Sequence, residues 1–256
     1  MTMQTILLII EWLRNILLGI ALFFGIQTIK KLFKTDSKNE IIGMKRIVFT
    51  LITIALAFLT LGFIIENTQG VMSISRHSTI PSIILFFLSY LLLIFAFAYF
   101  WHDSSRFHKL HFSEPIFFLG VTAGVLIWIY YLFRSTIIAH PVLAANQGII
   151  FFLHPLAVAL IFLLTLIIHP AHKAKVIRTP LWYVSSGVFL YFLGYMIMAY
   201  SFIKPVAKLI PLLYTTLLFL SSAYFALGLF AASKKFGESE KAKQSAEQGN
   251  DLKTQK

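Results

Sequence analysis

Apolar residues run along this chain in seven blocks of roughly twenty residues, each closed by a short polar joint. The blocks are Ile6–Ile29, Ile47–Ile65, Ile80–Trp101, Pro115–Phe133, Ile149–Ile168, Leu181–Tyr200 and Leu209–Ala232. A helix of about 20 apolar residues satisfies its own backbone and crosses the hydrocarbon core of a bilayer. The pattern therefore predicts an all-α, polytopic membrane protein, a seven-transmembrane-helix bundle. Pro81, Pro115, Pro180 and Pro211 each fall within about the first turn of a predicted helix, where the missing N–H costs nothing. Pro155 lies inside the fifth and predicts a kink. No charged side chain precedes the first block, so it is expected to be a helix of the mature protein rather than a cleaved signal.

Composition agrees: 58% of the 256 residues are hydrophobic and 12% are charged, more apolar surface than a water-soluble chain of this length could hide. Lys and Arg are spread unevenly over the joints, seventeen on one side and four on the other. The positive-inside bias then puts the amino terminus outside and the carboxyl terminus in the cytoplasm, across a plasma or inner membrane. The net charge of +12 reads as topology and contact with anionic lipid, not as nucleic-acid binding. After Ala232 the apolar run stops, and lysines alternate with Glu238, Glu240, Glu247 and Asp251. Two regions are expected: a transmembrane domain over 1–233 and a disordered, charged cytoplasmic tail over 234–256, too short for a kinase, cyclase or nucleotide-binding domain.

Two parts of the chain match each other. An offset of 132 places Arg46 on Arg178 and Leu61–Ile65 on Leu193–Ile197. A shift of 130 places Pro81 on Pro211, and Phe95, Ala96 and Phe100 on Phe225, Ala226 and Phe230. With the fourth helix as connector this gives a 3+1+3 parallel repeat, an arrangement in which a solute path runs between the halves. In topology it resembles the SWEET and PQ-loop solute carriers, although their Pro-Asn or Pro-Gln signatures are absent. Gly120 and Gly124 form a GxxxG spacing on the fourth helix, at which a helix-packing partner can approach closely.

Charges inside apolar blocks are costly, which singles out Glu11 and Arg14, three residues apart on one helical face. Aligning Ile6 with Ile149 places Glu11 on His154, so Glu11, Arg14 and His154 are the expected ligand-binding or proton-coupling residues. The eight histidines offer a second chemistry. His154 and His169 lie on one side of the fifth helix and could each hold a haem b, with His140 as outer and His102 as inner partner, which resembles the membrane b-type cytochromes. His108, His111 and His172 could hold a metal ion at the cytoplasmic end; with Asp103 and Glu114 they resemble, incompletely, the histidine boxes of membrane di-iron desaturases. The absence of cysteine excludes disulfides, thiolate metal sites and a cysteine nucleophile. The first expectation is thus binding and translocation of a small solute. A haem or metal redox protein is the second, and a sensor or assembly factor working through a partner the third.

Overall fold

In the computed structural model, residues 2–34, 40–72, 80–105, 113–139, 156–165, 175–203 and 209–254 are described. They form seven helices: α1 (Met3–Lys34), α2 (Glu40–Met72), α3 (Ile80–Ser105), α4 (Ser113–Ala139), α5 (Leu156–Thr165), α6 (Lys175–Ile203) and α7 (Leu209–Thr254). Five of them, α1, α2, α3, α6 and α7, are long and apolar enough to cross a membrane; the described apolar stretches of α4 and α5, Gly120–Tyr131 and Leu156–Thr165, are shorter. The chain is a helical membrane bundle.

The burial pattern along α1 shows why. Leu7 is buried, and two turns on Arg14, Leu18, Ala21, Gly25, Thr28 and Leu32 recur every three or four residues and are buried as well. Leu8, Ile9, Trp12, Leu13, Ile16, Ile20, Phe23 and Ile26 lie on the other face and are exposed. Similar exposed rows of Ile, Leu, Phe and Tyr occur on α2, α3, α6 and α7. So much exposed apolar surface is tolerable only where lipid covers it. Several hydroxyl residues inside the spans are satisfied locally: Thr53, Thr60 and Ser222 each donate to the carbonyl four residues back.

Helix α1 packs between α2 and α7; α2 carries α3 on its other side, α7 carries α6, and α4 rests on α6. The register of α1 against α2 is set by three contacts. Arg46 Nε donates to the Leu32 carbonyl at 2.7 Å. A methyl group on Gly25 would come within 2.6 Å of Thr53 Oγ1. The Arg14 guanidinium lies 3.6 Å from the centre of the Phe63 ring. Stepping back eighteen residues along α1, from Leu32 to Arg14, thus corresponds to stepping forward seventeen along α2, from Arg46 to Phe63, so the pair is antiparallel and in register.

Within the two hairpins glycines allow close approach. In α2·α3 a methyl on Gly62 would meet the Phe86 ring at 2.6 Å; in α6·α7 one on Gly194 would meet Leu218 at 3.1 Å. Further along, Gly187 faces Phe225 and Gly228 faces Val184.

Two local features differ from the sequence reading. Helix α6 starts at Lys175, so Pro180 lies inside it rather than in its first turn. Helix α7 continues through Thr254, across the segment expected to be disordered. That segment is rich in Ala, Glu, Lys and Gln and lacks proline, and a helix that is already nucleated extends at little cost. Its first turn also belongs to the bundle: Phe236 is buried edge-on against Phe49, and Lys31 Nζ donates to the Ser233 carbonyl at 2.7 Å.

Candidate functional site

Arg14 is drawn inward because the neighbouring positions Trp12, Leu13 and Ile16 take the outward face of α1. It lies about 17 Å along the helix from Met3, well inside the span. Only 5% of its surface is exposed, and its guanidinium stacks on Phe63 of α2. A cation over an aromatic face in a desolvated setting gains about 2 kcal/mol, which offsets part of the cost of burying the charge.

Three further helices build the surroundings, each through residues four apart. Phe63 and Asn67 come from α2, and Phe86 and Tyr90 from α3, where Phe86 packs on Phe63 at 5.0 Å between ring centres. Tyr191 and Tyr195 come from α6, and their rings lie 4.7 Å apart. The hydroxyls of Tyr90 and Tyr191 are 2.9 Å apart, a hydrogen bond that joins α3 to α6 and closes the row of helices on itself. Electrostatically, Arg14 feels the carboxylates of Glu11 and Glu66 and the phenols of Tyr195 and Tyr191. Both Glu11 and Glu66 are half-buried.

Among the described residues, five buried side-chain polar atoms have no hydrogen-bond partner: Arg14 Nε, Asn15 Nδ2, Asn15 Oδ1, Asn67 Nδ2 and Ser89 Oγ. All belong to these walls or to the residues next to them. An unsatisfied buried polar atom costs roughly 1–3 kcal/mol, so such a concentration calls for an explanation in function.

Of the residues expected from sequence, Glu11 and Arg14 are therefore together, on one face, beside Glu66. His108, His111, His140, His154, His169 and His172 lie outside the described residues, as does Pro155; His102 falls at the end of α3, where only the backbone path is described. The paired haem and cytoplasmic metal sites thus gain no geometry. Among the described residues, nothing lies within 4 Å of where a side chain would begin at Gly120 or Gly124.

Asn15, Glu66, Asn67, Tyr90, Tyr191 and Tyr195 escaped the sequence reading. Glu66 falls one residue beyond the predicted end of its span and so was not counted among the charges inside apolar blocks. The signal that could have found it is the short joint between the first two helices, which forces an antiparallel register and brings Glu66 beside Glu11. Comparison with protein families, curated proteins and solved structures found no match.

Proposed function

We propose that the bundle binds a small polar solute at Arg14 and carries it across the membrane by alternating access. The observation that carries this reading is the buried Arg14 guanidinium, stacked on Phe63, with Nε unpartnered and further unpartnered polar atoms on Asn15, Asn67 and Ser89. A purely structural arginine at this depth would be expected to use its donors on the chain. The site also draws on both ends of the sequence, α1–α3 and α6, as a path between two halves requires.

The 3+1+3 repeat is part of the proposal, and the hairpin contacts support it in a single register. Gly62 meets Phe86 and Gly194 meets Leu218, both pairs related by 132 residues. Gly187 meets Phe225, and the positions 132 earlier are the buried Ala55 and Leu93, a larger residue on one helix against a smaller one on the other. On this basis α3 corresponds to α7 at 132 rather than at the 130 suggested by sequence matching. We further propose that the amino terminus is outside and the carboxyl terminus cytoplasmic, in a plasma or inner membrane, and that His154 adds a polar group from the fifth helix.

The test is a screen of the purified chain in lipid nanodiscs against monocarboxylates, neutral amino acids, primary amines and hexoses, read as the thermal unfolding midpoint. Solutes that raise it are then followed as radiolabelled uptake into proteoliposomes. Uptake should be lost in Arg14→Gln and reduced in Glu11→Gln and His154→Ala. The reading is overturned if no solute shifts the wild-type midpoint, or if Arg14→Gln takes up solute at the wild-type rate.

A further inference from the structure

We infer that the solute carries one carboxylate on an otherwise apolar body, and that Arg14 grips this carboxylate in the plane of its guanidinium; this rests on reading the cluster as a solute site. The Arg14 guanidinium carbon lies 3.6 Å from the centre of the Phe63 ring, so one flat face of the cation is taken by an aromatic surface. A guanidinium carries its N–H bonds in its own plane, and they point outward along the rim rather than at the ring. On that rim Nε is buried and finds no hydrogen-bond partner among the described residues.

The chain has acceptors of its own nearby. Glu11, about one turn away on the same helix, and Glu66 of α2 act on Arg14 through space, but neither accepts from Nε. What is missing is an acceptor at a particular N–H, a need that does not depend on how the charges of the surrounding carboxylates are balanced. Nε–H and the nearer terminal N–H of a guanidinium run parallel, a two-pronged fork whose spacing matches the two oxygens of a carboxylate. An amine brings no acceptor, and a neutral carbonyl brings one oxygen to a fork with two donors. A phosphate or sulfate brings further oxygens, which would face the buried Phe63 and Phe86 rings without donors. The surrounding rings also suit an apolar remainder. Tyr191 packs on Phe63 and on Tyr195, and the hydroxyls of Tyr90 and Tyr191 are engaged with each other at 2.9 Å.

The experiment uses the full chain in nanodiscs and solutes that share one body and differ in head group: benzoate, benzamide, benzylamine and phenyl phosphate, with propionate, propionamide, propylamine and propyl phosphate as a smaller set. Affinity is read from the concentration dependence of the unfolding midpoint. Each carboxylate should bind at least about tenfold more tightly than the amide, amine and phosphate of the same body. Arg14→Lys keeps the positive charge but loses the planar fork, and should bring the ratio of carboxylate to amide affinity down to near unity. Should that variant not fold, the ratios in the wild-type chain decide alone. Amide, amine or phosphate binding as tight as that of the matched carboxylate would overturn the carboxylate and leave the solute site standing. A carboxylate preference that survives Arg14→Lys unchanged would overturn its assignment to Arg14. No response to either set would overturn the inference, and the solute site with it if amino acids and hexoses are silent as well.

Discussion

Arg14 and Gly62 show how much a single position can decide in this bundle. Arg14 was conspicuous from the start, because an arginine and a glutamate three residues apart inside an apolar run stand out against their neighbours. Gly62 was visible only as part of a sequence match, yet a methyl group there would come within 2.6 Å of the buried Phe86 ring. Phe86 is itself held by Phe63, which carries Arg14, so little room exists for it to yield. Gly62→Ala should therefore destabilise the protein by about 1–3 kcal/mol and loosen the floor under Arg14. Gly194→Ala, at 3.1 Å from the flexible Leu218, should cost less. Gly120→Ala meets nothing within 4 Å and should be neutral or slightly stabilising, as Ala is favoured over Gly inside a helix by roughly 0.5–1 kcal/mol. Thermal unfolding in nanodiscs orders the three variants, and a Gly120→Ala protein less stable than Gly62→Ala would contradict this account. What the sequence could not disclose was the company Arg14 keeps: three tyrosines among ten are unremarkable until the packing of α3 against α6 brings their rings together.

At the scale of elements, the helix positions were legible because the requirement to fill a hydrocarbon layer about 30 Å thick imposes a length that any strong apolar block reveals. Helix ends were less so. At the end of α7 a lysine-rich segment looks solvated from composition, yet Phe236 reaches back onto Phe49, Lys45 stands over the Phe236 ring, and Lys31 ties Ser233. Among the described side chains these are the anchoring contacts, and beyond Glu238 the sequence carries no aromatic residue that could repeat the part played by Phe236. Removal of residues 239–256 should accordingly leave membrane insertion and the unfolding midpoint unchanged. Removal from Ser233 onward should lower the midpoint, through loss of a buried aromatic worth roughly 3–5 kcal/mol when truncated. Comparing the two truncations in the same nanodisc preparation checks this. Equal stability of both would mean that the last turn at Phe236 contributes nothing.

For the molecule as a whole, the closing of five long helices around a charged centre makes direction across the membrane the property on which the proposed transport cycle depends. Along the backbones Glu11 and Glu66 stand toward the amino-terminal end of α1 and Arg14 about one turn further in, so under the proposed function a solute would meet them in opposite order from the two sides. The proposed orientation rests on the basic joints. Lys30, Lys31, Lys34, Lys38, Lys45 and Arg46 surround the first turn between helices, and Lys234 and Lys235 flank the end of α7, whereas the joint after α2 carries only Arg76. Each lysine or arginine near an anionic leaflet gains about 1 kcal/mol, and the asymmetry opposes inversion of the whole bundle. Reporter fusions after Lys34, after Gln69 and after Lys256 should read cytoplasmic, external and cytoplasmic. Charge, not the helices themselves, should set the result: replacing Lys30, Lys31, Lys34 and Lys38 with Gln should produce a mixed population with some chains inverted, while the same number of Gln replacements in the tail beyond Glu238 should leave orientation unchanged. A uniform wild-type pattern of the opposite sign would reverse the direction in which solute meets the two charge levels.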